Sequence, residues 1–239
     1  MLYYRAAEQR GEANFGWLSS KHSFSFGNYH DPAHMGISAL RVINDDWVAP
    51  SAGFDSHDHR DMEIISYILQ GSVEHKDSMG NQFIVPAGEV QRMSAGSGVT
   101  HSEFNASKTE PLKFLQIWIT PNTTNIEPSY EQISIIQSSK MTPLVTPDGR
   151  KGSLSIHQDA SIFRLQLSAG EHYDVVSIDT LNHKRICYLH IIEGNAHGST
   201  DNDKLAIKEG DGIGLIEDQL SIVAGDKGLI AVWFELPSN

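Results

Sequence analysis

Cysteine is all but missing: Cys187 is the one thiol among 239 residues. No internal disulfide can form and no cysteine-based zinc site can be assembled, so this residue reads as a small buried apolar side chain. Positive charge is scarce too. Eighteen Lys and Arg face thirty Asp and Glu, a formal net charge of −12, which argues against general attraction to phosphate backbones or anionic lipid. Direct nucleic-acid and membrane partners drop out of the expectation, and a protein partner stays open. Long apolar runs are absent as well. The start, MLYYRAAEQRGEANFGW, holds no uninterrupted apolar segment and no later run approaches bilayer length, so the expected location is the cytoplasm.

Histidine, by contrast, is grouped. Residues 53–71 read GFDSHDHRDMEIISYILQG, and 96–105 read GSGVTHSEFN. In an extended strand residues two apart share a face, so His57 projects with His59, and His101 with Glu103. Two such pairs facing each other hold one metal ion, with one or two coordination positions left for chemistry. Glu63 is an alternative carboxylate, and spacing does not decide between it and Glu103. Ile64, Ile65, Tyr67 and Ile68 before Gly71 have the composition of a half-buried strand. Counted by twos from His57, an unbroken strand would grade from polar to apolar through Asp61, Glu63, Ile65, Tyr67 and Leu69, as a barrel interior with a metal near its mouth does. With 12 histidines in the chain, an H-x-H triplet is expected roughly 0.6 times by chance, so the triplet needs its company to carry weight. That company is Gly53, Glu63, Gly71, Pro86-Ala87-Gly88, His101 and Asn105.

This arrangement resembles the two motifs of the cupin superfamily, G-x5-H-x-H-x3,4-E-x6-G and G-x5-P-x-G-x2-H-x3-N. It departs from them in the short interval between Gly53 and His57 and the long one between Gly88 and His101. Both departures fit one branch, the pirins. SFSFGNYHDP at 23–32, LRVINDD at 40–46, HDHRDMEI at 57–64, VEHKDSMGN at 73–81 and VPAGEVQRMSAGSGVTHSEFN at 85–105 agree with it in order, and the resemblance is closest to bacterial pirin-like quercetin 2,3-dioxygenases. It implies His57, His59, His101 and Glu103 as the metal ligands, with Glu63 a supporting carboxylate paired to Arg60 or Arg92.

Along the rest of the chain, residues 1–22 read as a leading strand and an arm. His22, His30 and His34 sit in polar, turn-rich text and are expected to be solvated or hydrogen-bonded rather than ligating. His75 adjoins a hairpin at Ser78–Asn81 and is expected to be exposed. Phe54, Met93 and Phe104 lie near the ligands in sequence and read equally well as core. FLQIWITP at 114–121 closes a first unit, 1–121, and a proline-broken linker, 122–152, follows, with a short strand within 132–138. ILQGS, VPAGEV and FLQIWITP then recur as IIEGN, IKEGDGI and LIAVWFELP, with glycine-to-glycine intervals of 17 and 16 residues. The expected fold is all-β: two tandem jelly-roll β-barrels, a bicupin, with the second at 153–239. That copy holds no H-x-H, and His157, His172, His183, His190 and His197 are scattered, so it is expected to carry no metal ligands.

The resemblance implies a metal-dependent dioxygenase that opens the heterocyclic ring of flavonols such as quercetin, with dioxygen as co-substrate and carbon monoxide as a product. Glu103 is the expected base. Iron(II) is favoured, because a histidine–carboxylate set with open positions suits oxygen chemistry, and nickel, cobalt, manganese, copper or zinc fit the same donors. The resemblance also admits a regulatory protein that binds a transcription factor or metabolic enzyme, with its metal structural or redox-sensing, and an enzyme for which quercetin is a surrogate for some other enol or aromatic substrate.

Overall fold

A computed structural model describes residues 3–176, 185–201, 203–216 and 218–238. His183, one of the scattered histidines, lies outside the described residues. The protein is all-β, with single 3-10 turns at Ala7–Gln9 and Arg150–Gly152 as its helical elements among the described residues. It divides into two compact units, Gly11–Ile135 with Pro147–Gln158, and Met1–Arg10 with Ile136–Thr146 and Asp159–Asn239. The segment expected as a linker holds two strands, Ser129–Ser134 in the first unit and Met141–Thr146 in the second. The leading strand Tyr3–Arg5 pairs with Gly212–Gly214 of the second unit.

The first unit is built of two antiparallel sheets. A seven-stranded sheet runs Ser129–Ser134, Glu89–Ser94, Glu63–Gln70, Leu112–Ile119, Leu40–Val48, Leu18–His22 and Gly11–Asn14. A four-stranded sheet runs Gly53–His59, Val99–Asn105, Ser72–Asp77 and Gln82–Pro86. Val99–Asn105 alternates strictly, with Val99, His101, Glu103 and Asn105 buried and the residues between them half-buried, the period expected of a strand with one face on a core.

The strand of His57 and His59 does not run on into Glu63–Gln70. Asp61 takes a left-handed backbone conformation at φ 49°, the chain bends there, and the parity of the count from His57 is lost. Ile64, Ser66 and Ile68, not Ile65, Tyr67 and Leu69, point toward the histidine-bearing sheet: Ile64 and Ile68 belong to the buried clusters that include Val99 and Val73, and Ser66 bonds Glu103. Cross-strand register sets Gln91, Ser66, Gln116, Asn44 and His22 in one row across the large sheet. This polar row separates an apolar cluster of Leu18, Val48, Ile68, Val73, Val85, Leu112 and Phe114 from one of Ile64, Met93, Ala95 and Val99.

In the second unit, Tyr3–Arg5, Gly212–Ile216, Ile186–Ser199, Gln219–Leu236, Ser161–Leu167 and Met141–Thr146 pair in that order, with His172–Val176 and Lys204–Lys208 on the two long strands. Its core is an apolar cluster that includes Leu165, Cys187, Leu189, Ile191, Ile213, Leu215, Ala231 and Trp233. No helix among the described residues is long and apolar enough to cross a membrane.

Candidate metal centre

Register assembles the site. His101 stands opposite His57 on one side and Asp77 on the other, while Glu103 stands opposite His75. A bulge between His101 and Glu103 shifts their pairing with the Gly53–His59 strand, a device that re-aims neighbouring side chains. The rings of His57, His59 and His101 converge, with centroids 4.5, 4.7 and 4.9 Å apart pairwise. One ligand nitrogen from each lies within 4.8 Å of the others.

Glu103 meets the trio at His101 and forms a second group of three with His101 and His75, again with ligand atoms within 4.8 Å of one another. His75 is therefore not at an exposed hairpin edge: it is fully buried, with Nε2 3.1 Å from Asp77 Oδ2. Asp77 is itself fixed by the turn, accepting from the Met79 and Asn81 backbone N–H groups and from Asn81 Nδ2.

Glu103 is 3 % exposed, and a buried carboxylate needs donors. It has three. Oε1 accepts from Ser66 Oγ at 2.9 Å and Gln91 Nε2 at 2.6 Å, and Oε2 from Gln116 Nε2 at 3.0 Å. Burial alone would raise its pKa, but the neighbouring imidazoles of His101 and His75 and the bonds from Ser66 and Gln116 outweigh it and hold the group below the usual carboxylate range. His59 and His101 are pushed down to about 4, in both cases first by burial; His101 and His57 add to the shift at His59, and His57 and His75 add to that at His101 against an opposing effect of Glu103. At neutral pH these two rings are uncharged, the form in which a lone pair is available to a metal.

Orphaned atoms test the fit of an ion. Both nitrogens of buried His101 lack a protein hydrogen-bond partner, an expensive arrangement unless something else binds there. His57 Nδ1 lies 2.6 Å from the Asp55 carbonyl, which fixes the proton there and leaves Nε2 as donor, the outer-shell pattern usual for a metal-bound imidazole. Three imidazoles and a carboxylate suit a divalent transition metal.

A cavity of about 700 Å³ opens against His57 and His59, walled by Trp17, Phe26, Phe54, Phe104 and Trp118. Trp118 packs edge-on to His59 at 5.0 Å. Phe54 and Phe104 thus face the cavity, while Met93 is core.

The family profile described as Pirin matches residues 4–119, and the one described as Quercetinase C-terminal cupin domain matches residues 143–236. Together they cover most of the chain. It belongs to the pirin family. A protein named quercetin 2,3-dioxygenase from Escherichia coli K12 is 44 % identical over 239 residues, 99 % of each chain. A second protein of the same organism, the pirin-like protein YhaK, is 34 % identical over 99 % of this chain and all of its own. The crystal structure of the E. coli bacterial pirin YhhW in complex with nickel(II) superposes with a TM-score of 0.90 at 44 % identity, covering both chains fully. That relative binds nickel, where iron(II) was the first expectation.

Other expected partners of this pirin lie elsewhere. Glu63 is buried and accepts from Ser94 Oγ at 2.6 Å and from the backbone N–H of His157 at 3.2 Å, with His157 Nδ1 at 3.0 Å. Arg92 pairs instead with Glu131, and Arg60 with Asn125. His22 is buried beside Ser20, and His34 lies 3.9 Å from Asp31. Of the histidines scattered in the second half, His157 clusters with the first unit, His172 bonds Ser221 at the surface, His190 is buried and His197 exposed. Among the described residues, both candidate metal groups are in the first unit. Spacing missed His75, Ser66, Gln91 and Gln116; the available signal was a polar residue in the middle of the apolar stretches IISYIL and FLQIWI, for Ser66 and Gln116, while the mixed strand EVQRMS gave none for Gln91.

Proposed function

We propose that this pirin is a metal-dependent dioxygenase that opens the heterocyclic ring of flavonols, with dioxygen as co-substrate and a depside and carbon monoxide as products. The observation that carries it is the convergence of His57, His59 and His101, the first two of which line an aromatic-walled cavity. The names of the full-length relatives support the substrate class.

In this reading His57, His59, His101 and Glu103 hold the ion; the donor set suits nickel(II) as well as iron(II). A divalent ion bound there supplies Lewis acidity toward the flavonol 3-oxygen and a means of engaging dioxygen. The chain's own residues do the rest. Trp17, Phe26, Phe54, Phe104 and Trp118 sandwich a flat aromatic substrate and keep water from the reacting carbons. Glu103 takes the 3-hydroxyl proton at Oε2, the oxygen that accepts only Gln116 of the three bonds to its cradle. Ser66, Gln91 and Gln116 hold the carboxylate in place while it does so.

Aerobic loss of quercetin, followed with carbon monoxide release on nickel- or iron-loaded protein, tests this. Glu103→Gln and His101→Ala are expected to lower turnover at least about a thousandfold with folding retained. A loaded wild-type protein that consumes no oxygen with quercetin sinks the proposal.

A further inference from the structure

Next to the cavity at His57 and His59 lies a second cleft of about 320 Å³, and Phe26 and Phe54 belong to the walls of both. Its other apolar wall is Phe15 and Leu18, and its polar lining includes Ser20, His22 and Asp46. These three are 2, 4 and 5 % exposed, and the metal centre uses none of them. Register sets Ser20 opposite Asp46. Ser20 Oγ donates to Asp46 Oδ1 and lies 3.3 Å from His22 Nδ1, so carboxylate, hydroxyl and imidazole form one oriented group.

The cleft is also built to take a ring. Tyr29 lies flat on Gly11, where any Cβ would collide with it, and its ring is near parallel to His22, 6.3 Å away at 19°. From His22 an aromatic wall leads back to the metal centre: His22 to Phe26 at 5.5 Å, Phe26 to Trp118 at 5.2 Å and Trp118 to His59 at 5.0 Å. A flat molecule of more than one ring that lies along this wall meets histidines at one end and the Asp46 group at the other.

We propose that this cleft is a hydroxyl-recognising subsite that takes the catechol ring of a flavonol whose heterocycle stands at the three histidines. This rests on the flavonol reading of the main cavity and adds what selects among flavonols. Vicinal phenolic O–H groups are donors, and a buried carboxylate with an imidazole beside it is an acceptor surface matched to them. A ring without hydroxyls would displace water from this polar wall and offer it no hydrogen bond in exchange, which is how a polar pocket rejects a substrate that lacks a hydroxyl.

Anaerobic titration of nickel-loaded protein with flavonols bearing two, one or no hydroxyls on the pendant ring tests the proposal. Wild type is expected to bind the catechol form about tenfold tighter than the unsubstituted one. Ala13 lines the cleft opposite Ser20 in the edge strand, so Ala13→Phe fills the space without disturbing the buried polar group. The preference should fall to about twofold or less in that variant and in Asp46→Asn. An undiminished preference in Ala13→Phe, or none in a wild type that binds all three flavonols, overturns the subsite alone. A wild type that binds no flavonol overturns both this proposal and the one it rests on.

Discussion

The two units share their hairpin order and differ in what one row of residues carries. In the first, Ser66 stands opposite Gln91 on one side and Gln116 on the other, and all three bond Glu103. In the second, the repeat places Leu189 at the position of Ser66. Leu189 stands opposite Ile213 and Trp233, and all three are buried in one apolar cluster. The same scaffold therefore carries a polar row inside one copy and an apolar row at the same place in the other. A buried carboxylate is tolerated only with donors around it, so the capacity to carry a metal site resides as much in the polar row as in the ligands.

The strongest way to break this contrast is to make the first unit's row apolar, as the second's is. Ser66→Leu with Gln91→Ile and Gln116→Leu removes every side-chain donor to Glu103. We expect a loss of about 5 kcal/mol, the upper end of what an uncompensated buried charge costs, read by denaturant unfolding, together with loss of bound metal. Adding Glu103→Leu should recover most of the stability and none of the metal. A triple variant that unfolds like wild type would show that the row has no part in holding the carboxylate.

The reverse exchange is milder. Leu189→Ser puts a hydroxyl and a void into an apolar cluster and should cost about 3 kcal/mol. Metal content and flavonol turnover should stay at wild-type level, because Leu189 belongs to the unit that holds neither candidate metal group among the described residues. A fall in metal content would mean the two interiors are not separable in function.

The sequence made the contrast half visible. His57, His59 and His101 were legible because a strand's period of two puts His57 with His59 on one face and His101 with Glu103 on another, and the repeat of glycines at similar intervals revealed the second barrel. The inward face of Glu63–Gln70 was not legible, because one residue, Asp61, at φ 49° resets the parity. Nor was His75, whose burial depends on standing opposite Glu103 from a different strand. Tyr3–Arg5 could not be placed either: three residues carry too little pattern to name a partner some two hundred positions away.

Acid separates the units in another way. His59 and His101 hold pKa values of about 4 in the folded chain, against about 6.5 for free imidazole. Between these values the unfolded chain binds protons that the folded chain does not, so stability rises with pH across that window and falls as pH drops from about 6.5 toward 4. Metal-free protein should lose a few degrees of Tm over this range, and a His59→Phe/His101→Leu variant should lose less. Equal slopes in the two proteins would remove the buried-imidazole account.

The smallest effect concerns one hydroxyl at the edge of the row. Tyr130 Oη is 2.9 Å from Gln91 Oε1 and 3.0 Å from Gln132 Oε1, and the phenol's single proton serves one of them at a time. An amide whose oxygen accepts from Tyr130 must turn its Nε2 the other way, toward Glu103 and Ser66. Tyr130 therefore fixes which end of Gln91 the carboxylate meets. Burial, followed by the nearby charges of Glu103, Asp77 and Glu89, raises its own pKa, so it is a donor at neutral pH. Tyr130→Phe should cost about 1 kcal/mol of stability and weaken metal binding about tenfold, as loss of an outer-shell partner does, with the ring's packing against His75 and Phe83 kept. Nickel affinity measured in competition with a chelator reads the effect. Wild-type affinity in Tyr130→Phe would mean that Gln91 keeps its orientation without help, and that Ser66 and Gln116 are enough to set the carboxylate.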